Sequence, residues 1–415
     1  MKEKSNFGKF ILLWSGELIS SIGGGLTSFG LGVYIFNQTG SAASMALITL
    51  LGFLPTLVLA VPAGVLADRY DRRLLMMIGD GCSALGILYI LICMFRGGAT
   101  LMQICIGVFV SSVFSALLEP SFRATITDLL TKEEYSKASG LVSLAGSARY
   151  LFSPVIAGFL LAVSSVKLLL IIDVCTFFLT VVSAAIVRKG IGTKKNENKE
   201  AFFKSIKEGW LILSRKKGVI ILVFISSAIT LFMGMFQILA EPLILSFSDA
   251  KTLGIAETIC ASGMLVSGVV LGIKGIKGHF VNTLGSALVL SGIFMIGFGL
   301  FENIIPICGF GFMFFAALPF ANNCLDYLAR TNIPDEAQGR AWGMISFISQ
   351  MGYVVAYAVS GAAADVLGKI GNRGVGRGSA LVVIFAGICM ALTASAIFFP
   401  KSIRELEKNL IGEKR

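Results

Sequence analysis

Twelve long apolar runs dominate the sequence and limit what it can fold into. A helix needs about 20 consecutive apolar residues to cross a bilayer. The runs are continuously apolar and lack the period-two alternation of membrane β-strands, which predicts helices. They cover residues 10–36, 41–66, 74–95, 99–121, 138–164, 166–188, 218–247, 252–275, 280–301, 303–324, 341–367 and 378–400. We therefore predict an all-α integral membrane protein with twelve transmembrane helices.

The composition excludes a soluble protein of this length. Of 415 residues, 55% are hydrophobic and 14% are charged. So few charges could not cover the apolar surface of a soluble fold, whereas a lipid-facing surface needs no such cover. The first run is long and has no small-residue cleavage site, so we expect a retained span rather than a signal peptide.

The net charge of +11 reflects membrane orientation rather than nucleic-acid binding. Of the 35 Lys and Arg residues, we assign 28 to the face that holds both termini and six to the opposite loops, with Arg149 inside a run. Basic residues concentrate on the cytoplasmic side of membrane proteins. We expect a multi-pass protein of the cell (plasma or inner) membrane with both termini in the cytoplasm, and no nucleic-acid partner.

The reactive residue types do not form a metal, cofactor or enzyme signature. All eight cysteines lie within the apolar runs without a C-x-x-C pair, and the single histidine, His279, lies in a loop. Buried free cysteines usually act as small hydrophobic residues. No P-loop motif is present, so direct ATP drive is not expected. We predict no cofactor, no metal site and no enzyme activity.

The longest polar stretch divides the runs six and six. Residues 188–218 contain ten Lys or Arg residues. Within it, apolar residues recur at helical spacing between lysines, which predicts an amphipathic helix along the inner membrane surface; they are Phe202, Phe203, Ile206, Trp210 and Leu213. The predicted domains are an N-terminal bundle (1–188), a cytoplasmic linker (189–217), a C-terminal bundle (218–400) and a cytoplasmic tail (401–415).

The two halves repeat in sequence. Residues 137–159 align without a gap to residues 340–362, with Gly140 opposite Gly343 and Tyr150 opposite Tyr353. Span five therefore repeats as span eleven. A parallel repeat of two six-helix bundles, with a substrate site between them near the membrane midplane, is a transporter architecture.

The loop after span two carries a motif. It reads GVLADRYDRR, residues 64–73. This resembles the signature loop G-x-L-A-D-R-x-G-R-R of the major facilitator superfamily, with Asp71 in place of the usual glycine. The charged form D-R-Y-D-R-R is similar to the macrolide-efflux and siderophore-exporter branch. Residues 36–47, 119–140 and 332–343 also resemble loops of that branch.

The resemblance implies a conformational latch at the inner face. In relatives, the signature aspartate and arginine act with an acid at the inner end of span four, which Asp128 matches best. The implied latch, which favours the outward-open state, comprises Gly64, Asp68, Arg69, Arg72, Arg73 and Asp128. Span five partly matches the glycine-rich antiporter motif ending in G-P-x-x-G-G, with Ser153 in place of the glycine before Pro154. This match favours export.

Three ionisable residues inside the spans are candidates for proton coupling: Glu17, Arg149 and Asp173. Each costs about 2.5–3.5 kcal/mol on insertion scales, which makes it a functional hypothesis. By the superfamily arrangement, Glu17 on span one faces the cavity, and Asp173 on span six is expected to be a structural partner. The alternative for Glu17 is a static pair with Arg149. Asp80, about two turns inside span three, is expected to serve helix packing.

The predicted function is proton-coupled efflux of a bulky amphipathic compound, macrolide-like or siderophore-like, by alternating access. The alternatives are an uptake or lipid-handling carrier of the same fold, or a polytopic membrane enzyme. The expected partners are a small-molecule substrate, protons and the lipid bilayer, and a monomer is one expected state. Aromatic and polar side chains on spans one, four, seven and ten are candidates for the substrate cavity: Trp14, Ser21, Thr27, Phe114, Phe232, Phe236, Gln237, Phe315, Asn322 and Asn323.

Overall fold

The computed structural model describes residues 6–189, 211, 214, 217–276, 278–333, 338–370 and 372–412. Regular structure within these residues is helical, and twelve helices are long and apolar enough to cross a membrane. The twelve spans and the all-α fold predicted from the apolar runs are confirmed. The amphipathic helix predicted around residues 202–213 lies largely outside the described residues.

Residues 6–189 contain seven helices. They are α1 (Phe7–Thr39), α2 (Ala42–Arg69), α3 (Arg72–Phe95), α4 (Leu101–Ser115), α5 (Leu118–Leu129), α6 (Tyr135–Val163) and α7 (Val166–Arg188). A short 3₁₀ turn, Lys132–Glu134, leads into α6. The helices α4 and α5 together form the fourth span.

The second half follows the same order. It contains α8 (Lys217–Leu245), α9 (Ala250–Lys274), α10 (Phe280–Leu300), α11 (Ile304–Asn332), α12 (Gln338–Ile370), α13 (Gly374–Ala396) and α14 (Lys401–Gly412). The first six are spans, and α14 is a short helix beyond the last span.

The chain divides into two compact units. Unit 1 comprises residues 1–40, 47–198 and 249–258, and unit 2 comprises residues 41–46, 199–248 and 259–415. Unit 1 thus contains most of the first six spans, and unit 2 contains most of the last six. The first residues of α2 belong to unit 2, although the rest of α2 belongs to unit 1. The first residues of α9 belong to unit 1, although the rest of α9 belongs to unit 2.

The fourth span is longer than predicted and is broken near its middle. The apolar run ended at residue 121, but helix continues as α5 to Leu129. A continuous helix would need the Pro120 backbone nitrogen to donate to the Ala116 carbonyl, and proline has no N–H group. Just before the proline, the Leu117 N–H bonds the Phe114 carbonyl, three residues back rather than the four of an α-helix. The break separates α4 from the more polar helix α5, which carries Asp128.

The predicted C-terminal tail contains a helix packed on unit 2. In α14, Ile403 and Leu406 are buried, and the Asn332 side chain donates to the Leu406 carbonyl at 3.2 Å. The Glu407 carboxylate accepts from the backbone N–H groups of Phe280 and Val281, at 2.7 Å and 3.4 Å. The first N–H groups of a helix have no partner within the helix. Glu407 therefore supplies an acceptor for two of these groups at the start of α10.

Candidate functional site

Asp173 is held in the interior of unit 1 where α1 packs against α7. The Thr27 hydroxyl donates to Asp173 Oδ2 at 2.6 Å, and the carboxylate is 1% exposed. Gly23 makes this approach possible, because a Cβ there would lie 2.9 Å from Asp173 Oδ1 and 3.1 Å from Thr176 Cγ2. The first glycine of the run Gly23–Gly25 is thus explained by close helix packing.

Arg149 of α6 crosses α1 at the last glycine of the same run. A Cβ at Gly25 would lie 2.6 Å from Ser153 Cβ and 3.2 Å from Arg149 Cγ. Arg149 Nη2 donates to Ser28 Oγ at 3.3 Å, and its side chain is exposed. Gly24, between the two packed glycines, faces open space. The run therefore brings α6 and α7 against α1 on two different sides.

The structure does not form the static ion pair that the sequence left open as an alternative. Within the described residues, Arg149 has no carboxylate oxygen within 4.0 Å, and Glu17 has no hydrogen-bond partner. The Arg149 charge still acts on both Glu17 and Asp173.

Glu17 has like-charged neighbours as well as Arg149. Glu119, at the start of α5, acts on Glu17, and Glu17 in turn acts on Asp80 of α3. The Glu17 side chain is partly exposed, whereas Asp80 and Asp173 are each 1% exposed. Of the three acids Glu17, Asp80 and Asp173, Glu17 is therefore the most accessible.

Three of the six predicted latch residues form one network around Asp128. Asp128 Oδ1 lies 2.8 Å from Arg72 Nη1, and Asp128 Oδ2 lies 3.1 Å from Arg73 Nη2. Arg72 also donates to the backbone carbonyls of Ala67 and Ala124, at 3.2 Å and 2.9 Å. Asp128 thus fastens α5 to the start of α3.

The other signature residues lie at the margin of this network. The Asp68 carboxylate is 61% exposed and its Oδ1 lies 3.9 Å from Arg72 Nη2. Arg69 is exposed, and a Cβ at Gly64 would meet no atom within 4 Å. In this structure, glycine at position 64 is therefore not required for helix contact.

Asp71 is a network residue to which sequence reasoning gave no role. Its Oδ1 accepts from the Arg73 N–H at 3.1 Å and caps α3, and its Oδ2 lies 2.7 Å from Arg188 Nε of α7. An aspartate before a helix start is a common cap, so the local sequence contained a signal for the first contact. The pairing with Arg188, 117 residues away, needed the tertiary structure.

The substrate candidates of unit 1 differ in accessibility. Trp14 Nε1 donates to the Leu141 carbonyl at 2.7 Å, and Ser21 Oγ lies 3.4 Å from the Ala145 carbonyl, so both join α1 to α6. Thr27 is buried against Asp173, and Phe114 is partly exposed. In this structure Thr27 contacts the carboxylate rather than an open cavity.

The substrate candidates of unit 2 divide in the same way. Phe236 is buried, with its ring centroid 4.6 Å from that of Phe298 and 4.4 Å from that of Phe314, so it belongs to the core of the unit. Gln237 is exposed, and its Oε1 accepts a 3.0 Å hydrogen bond from Tyr357, a residue that sequence reasoning missed. The remaining four are exposed or partly exposed: Phe232, Phe315, Asn322 and Asn323.

A cavity of about 590 Å³ opens in unit 1 where α1 and α3 end and α7 begins. Tyr34, Asn37, Phe95 and Lys167 are among its lining residues, and the Lys167 ammonium lies 4.8 Å from the Phe95 ring centroid. None of the predicted substrate residues lines it. The cavity forms from the ends of separate helices, which sequence patterns do not place together.

The chain matches a known family over most of its length. Residues 13–357 match the family model of the Major Facilitator Superfamily. The chain is 27% identical over 395 residues to "Macrolide efflux protein A" of Streptococcus pyogenes, covering 92% of this chain and 95% of that protein. It is 28% identical over 326 residues to "Macrolide efflux protein A" of Enterococcus faecalis, covering 75% of this chain and 98% of that protein.

The fold also matches solved structures. A bacterial homolog of the human lysosomal transporter Spinster, solved in an inward-facing and unoccupied conformation, superposes with a TM-score of 0.74. The two chains are 11% identical, and the match covers 98% of this chain and 99% of that one. At this identity the likeness supports the fold alone.

Proposed function

Because the chain belongs to the major facilitator superfamily, it is a multi-pass membrane transporter, and we propose that it exports a bulky amphipathic compound in exchange for protons. Transport would occur by alternating access, in which the substrate site opens to one side of the membrane at a time. The expected substrates are macrolide-like drugs or siderophore-like metabolites.

The substrate class and the direction rest on one observation. The relatives named for macrolide efflux are 27–28% identical to this chain and match it over 75–92% of its length. Such coverage spans both halves of the fold, so the likeness is not confined to one motif. It favours export of a large amphipathic molecule over uptake.

Proton coupling is supported by the surroundings of Glu17. This acid lies within a span, is partly exposed, and lacks a hydrogen-bond or ion-pair partner among the described residues. An ionised carboxylate is costly in such a place, and a protonated one is not. Glu17 can therefore gain and lose a proton as water or Arg149 moves toward it.

In the proposed cycle, Glu17 binds a proton from outside and releases it inside. Approach of Arg149 would favour the ionised carboxylate and so promote proton release. Departure of Arg149 would favour the protonated form. Asp128, Arg72 and Arg73 would act separately, as the latch whose opening and closing accompanies the change of access.

The test is drug accumulation in cells that express the chain, measured with and without a protonophore. We expect lower accumulation of a macrolide in expressing cells, and loss of that difference when the proton gradient is collapsed. Glu17→Gln should abolish proton-driven efflux, whereas Glu405→Gln, at an exposed acid of α14, should retain it. Extrusion insensitive to the protonophore, or full proton-driven efflux by Glu17→Gln, would contradict the proposal.

We also propose that both termini lie in the cytoplasm, from the basic residues concentrated on their side of the spans. A protease-cleavable tag at each end should resist cleavage in intact cells and be removed in inside-out vesicles. Cleavage of either tag from outside would reject this orientation.

A further inference from the structure

Asp80 is an acid inside a span that the proposed function does not use. It lies in α3, its side chain is 1% exposed, and its Oδ1 has no hydrogen-bond partner among the described residues. Buried carboxylate oxygens in folded proteins almost always have a donor. A buried oxygen without one indicates that the group is not a simple packing residue.

Among the described residues, the helices around Asp80 bring it acids and hydroxyls but no ion-pair partner. Glu17 of α1 and Asp173 of α7 act on it as like charges, and the Thr180 hydroxyl of α7 lies beside it. About one turn further along α3, the Ser83 hydroxyl lies 2.9 Å from both the Ser111 carbonyl and Ser115 Oγ of α4. Those α4 groups are therefore engaged with Ser83.

The helices α5 and α6 do not neutralise Asp80 either. On α5, the buried Thr125 hydroxyl donates to the Ser121 carbonyl of its own helix at 2.7 Å. Arg149 of α6 acts on Glu17 and Asp173 and donates to Ser28. Within the described residues, no Lys or Arg forms an ion pair with Asp80.

An ionised carboxylate in this position would have little compensation beyond the Thr180 hydroxyl. Burial removes water, no cation replaces it, and two neighbouring acids add repulsion. A protonated carboxyl group avoids all three costs, and its O–H becomes a donor that an ionised carboxylate lacks.

We propose that Asp80 is a proton-binding site that remains occupied, as a neutral carboxylic acid, while Glu17 exchanges its own proton. The site is formed by adding one H⁺ from water to one carboxylate oxygen, with no other bond made or broken. Because a nearby negative charge disfavours ionisation of a carboxyl group, a neutral Asp80 leaves Glu17 freer to ionise. The transport consequence rests on the proposed function, but the protonation does not.

The direct test is infrared spectroscopy of the purified chain in lipid nanodiscs at neutral pH. The carbonyl stretch of a protonated carboxyl group should be present in the wild-type protein and should shift when the aspartates carry a ¹³C carboxyl label. Asp80→Asn should lose this band. Asp326→Asn, at an acid that is 51% exposed and paired with Arg330, should keep it.

Two further variants complete the test. Asp173→Asn should keep the Asp80 band, because Asp173 is a separate acid, and Asp80→Glu should replace the aspartate band by one that the aspartate label does not shift. Overturning results are a wild-type protein without a label-sensitive band, or a band that survives Asp80→Asn and vanishes in Asp173→Asn. If a variant fails to fold, the labelled wild-type spectrum alone still shows whether a protonated aspartate is present.

Efflux measurements separate the proposal for Asp80 from the proposal of proton-coupled export through Glu17. Asp80→Asn mimics the neutral acid and should retain proton-driven efflux within about twofold, whereas Glu17→Gln should abolish it. Loss of coupling in Asp80→Asn would show that the Asp80 proton itself moves, contrary to the proposal. If wild-type efflux proves independent of protons, the proposed function fails. The infrared result for Asp80 does not depend on efflux and is judged separately.

Discussion

The Thr27 hydroxyl donates a 2.6 Å hydrogen bond to Asp173 Oδ2 and so joins α1 to α7 inside unit 1. Thr27→Val keeps the shape of the side chain and removes the donor. We expect a loss of about 1–3 kcal/mol in the free energy of unfolding, because a buried acceptor loses its partner.

Thermal unfolding in detergent, followed by intrinsic fluorescence, measures this loss. Thr127→Val is the control, because Thr127 is exposed and its hydroxyl bonds only the Ala124 carbonyl of its own helix. Equal melting temperatures for the two variants would show that the contact between Thr27 and Asp173 contributes no stability.

Asp128 and Asp68 should differ in their importance for stability. Asp128→Asn removes the carboxylate from both Arg72 and Arg73, and the Arg73 side chain is 1% exposed. Removing one partner from a buried pair costs about 3 kcal/mol or more. Asp68→Asn should cost below about 1 kcal/mol, because Asp68 is 61% exposed and exposed ion pairs contribute little.

The stability of each variant is read from thermal unfolding, and its activity from drug accumulation. Stability losses of the same size for the two variants would contradict the central position of Asp128. Loss of efflux by Asp68→Asn at unchanged stability would show that Asp68 acts in another conformation, as its place in the signature loop implies.

Asp249 should give the α9 start a pH-dependent cap. Hydrogen bonds from the Thr252 hydroxyl and the Thr252 N–H, the latter 2.8 Å long, hold the pKa of Asp249 below its usual value of 3.8. A group whose pKa is lower in the folded state stabilises that state at pH values above its unfolded pKa. This contribution is lost as the pH falls through the folded pKa. Asp249→Asn should remove that dependence.

The measurement is the melting temperature of both proteins between neutral pH and about pH 3. The difference in melting temperature between the wild type and Asp249→Asn should be constant near neutral pH and should shrink below about pH 4. An advantage that grows on acidification would have the wrong sign and would reject the cap as its cause.

Glu407 and Glu405 provide a matched pair on α14. Glu407 accepts from the Phe280 and Val281 N–H groups at the start of α10, whereas Glu405 is exposed. Glu407→Ala should lower the free energy of unfolding by about 1–2 kcal/mol, since the helix start loses a charged acceptor. Glu405→Ala should change it by less than about 0.5 kcal/mol.

Trypsin sensitivity of the C-terminal segment gives an independent readout for the same pair. Faster cleavage near Lys401 and Arg404 is expected for Glu407→Ala only. If both variants are cleaved at the wild-type rate, the contact between α14 and α10 does not hold the helix in place.

Much of the site could be predicted only as a set of residue types. Glu17, Arg149 and Asp173 were recognisable because charges inside apolar runs are rare. Asp128 was recognisable because it matches an acid at the end of span four in relatives that carry the signature loop. That Asp173 bonds Thr27, and that Arg149 bonds Ser28 and pairs with neither acid, depends on the rotation of α1, α6 and α7 about their axes. Helical periodicity is nearly absent in spans that are apolar on every side, so the sequence alone cannot set those rotations.

The sequence by itself determined the twelve spans and the all-α fold, because the cost of burying backbone and charge in lipid acts on each segment separately. The tertiary structure alone decided that Asp71 pairs with Arg188, that Phe236 is a core residue and that Asp80 has an unpartnered oxygen. These facts depend on which helix faces meet, and that is settled by packing between residues far apart in the chain.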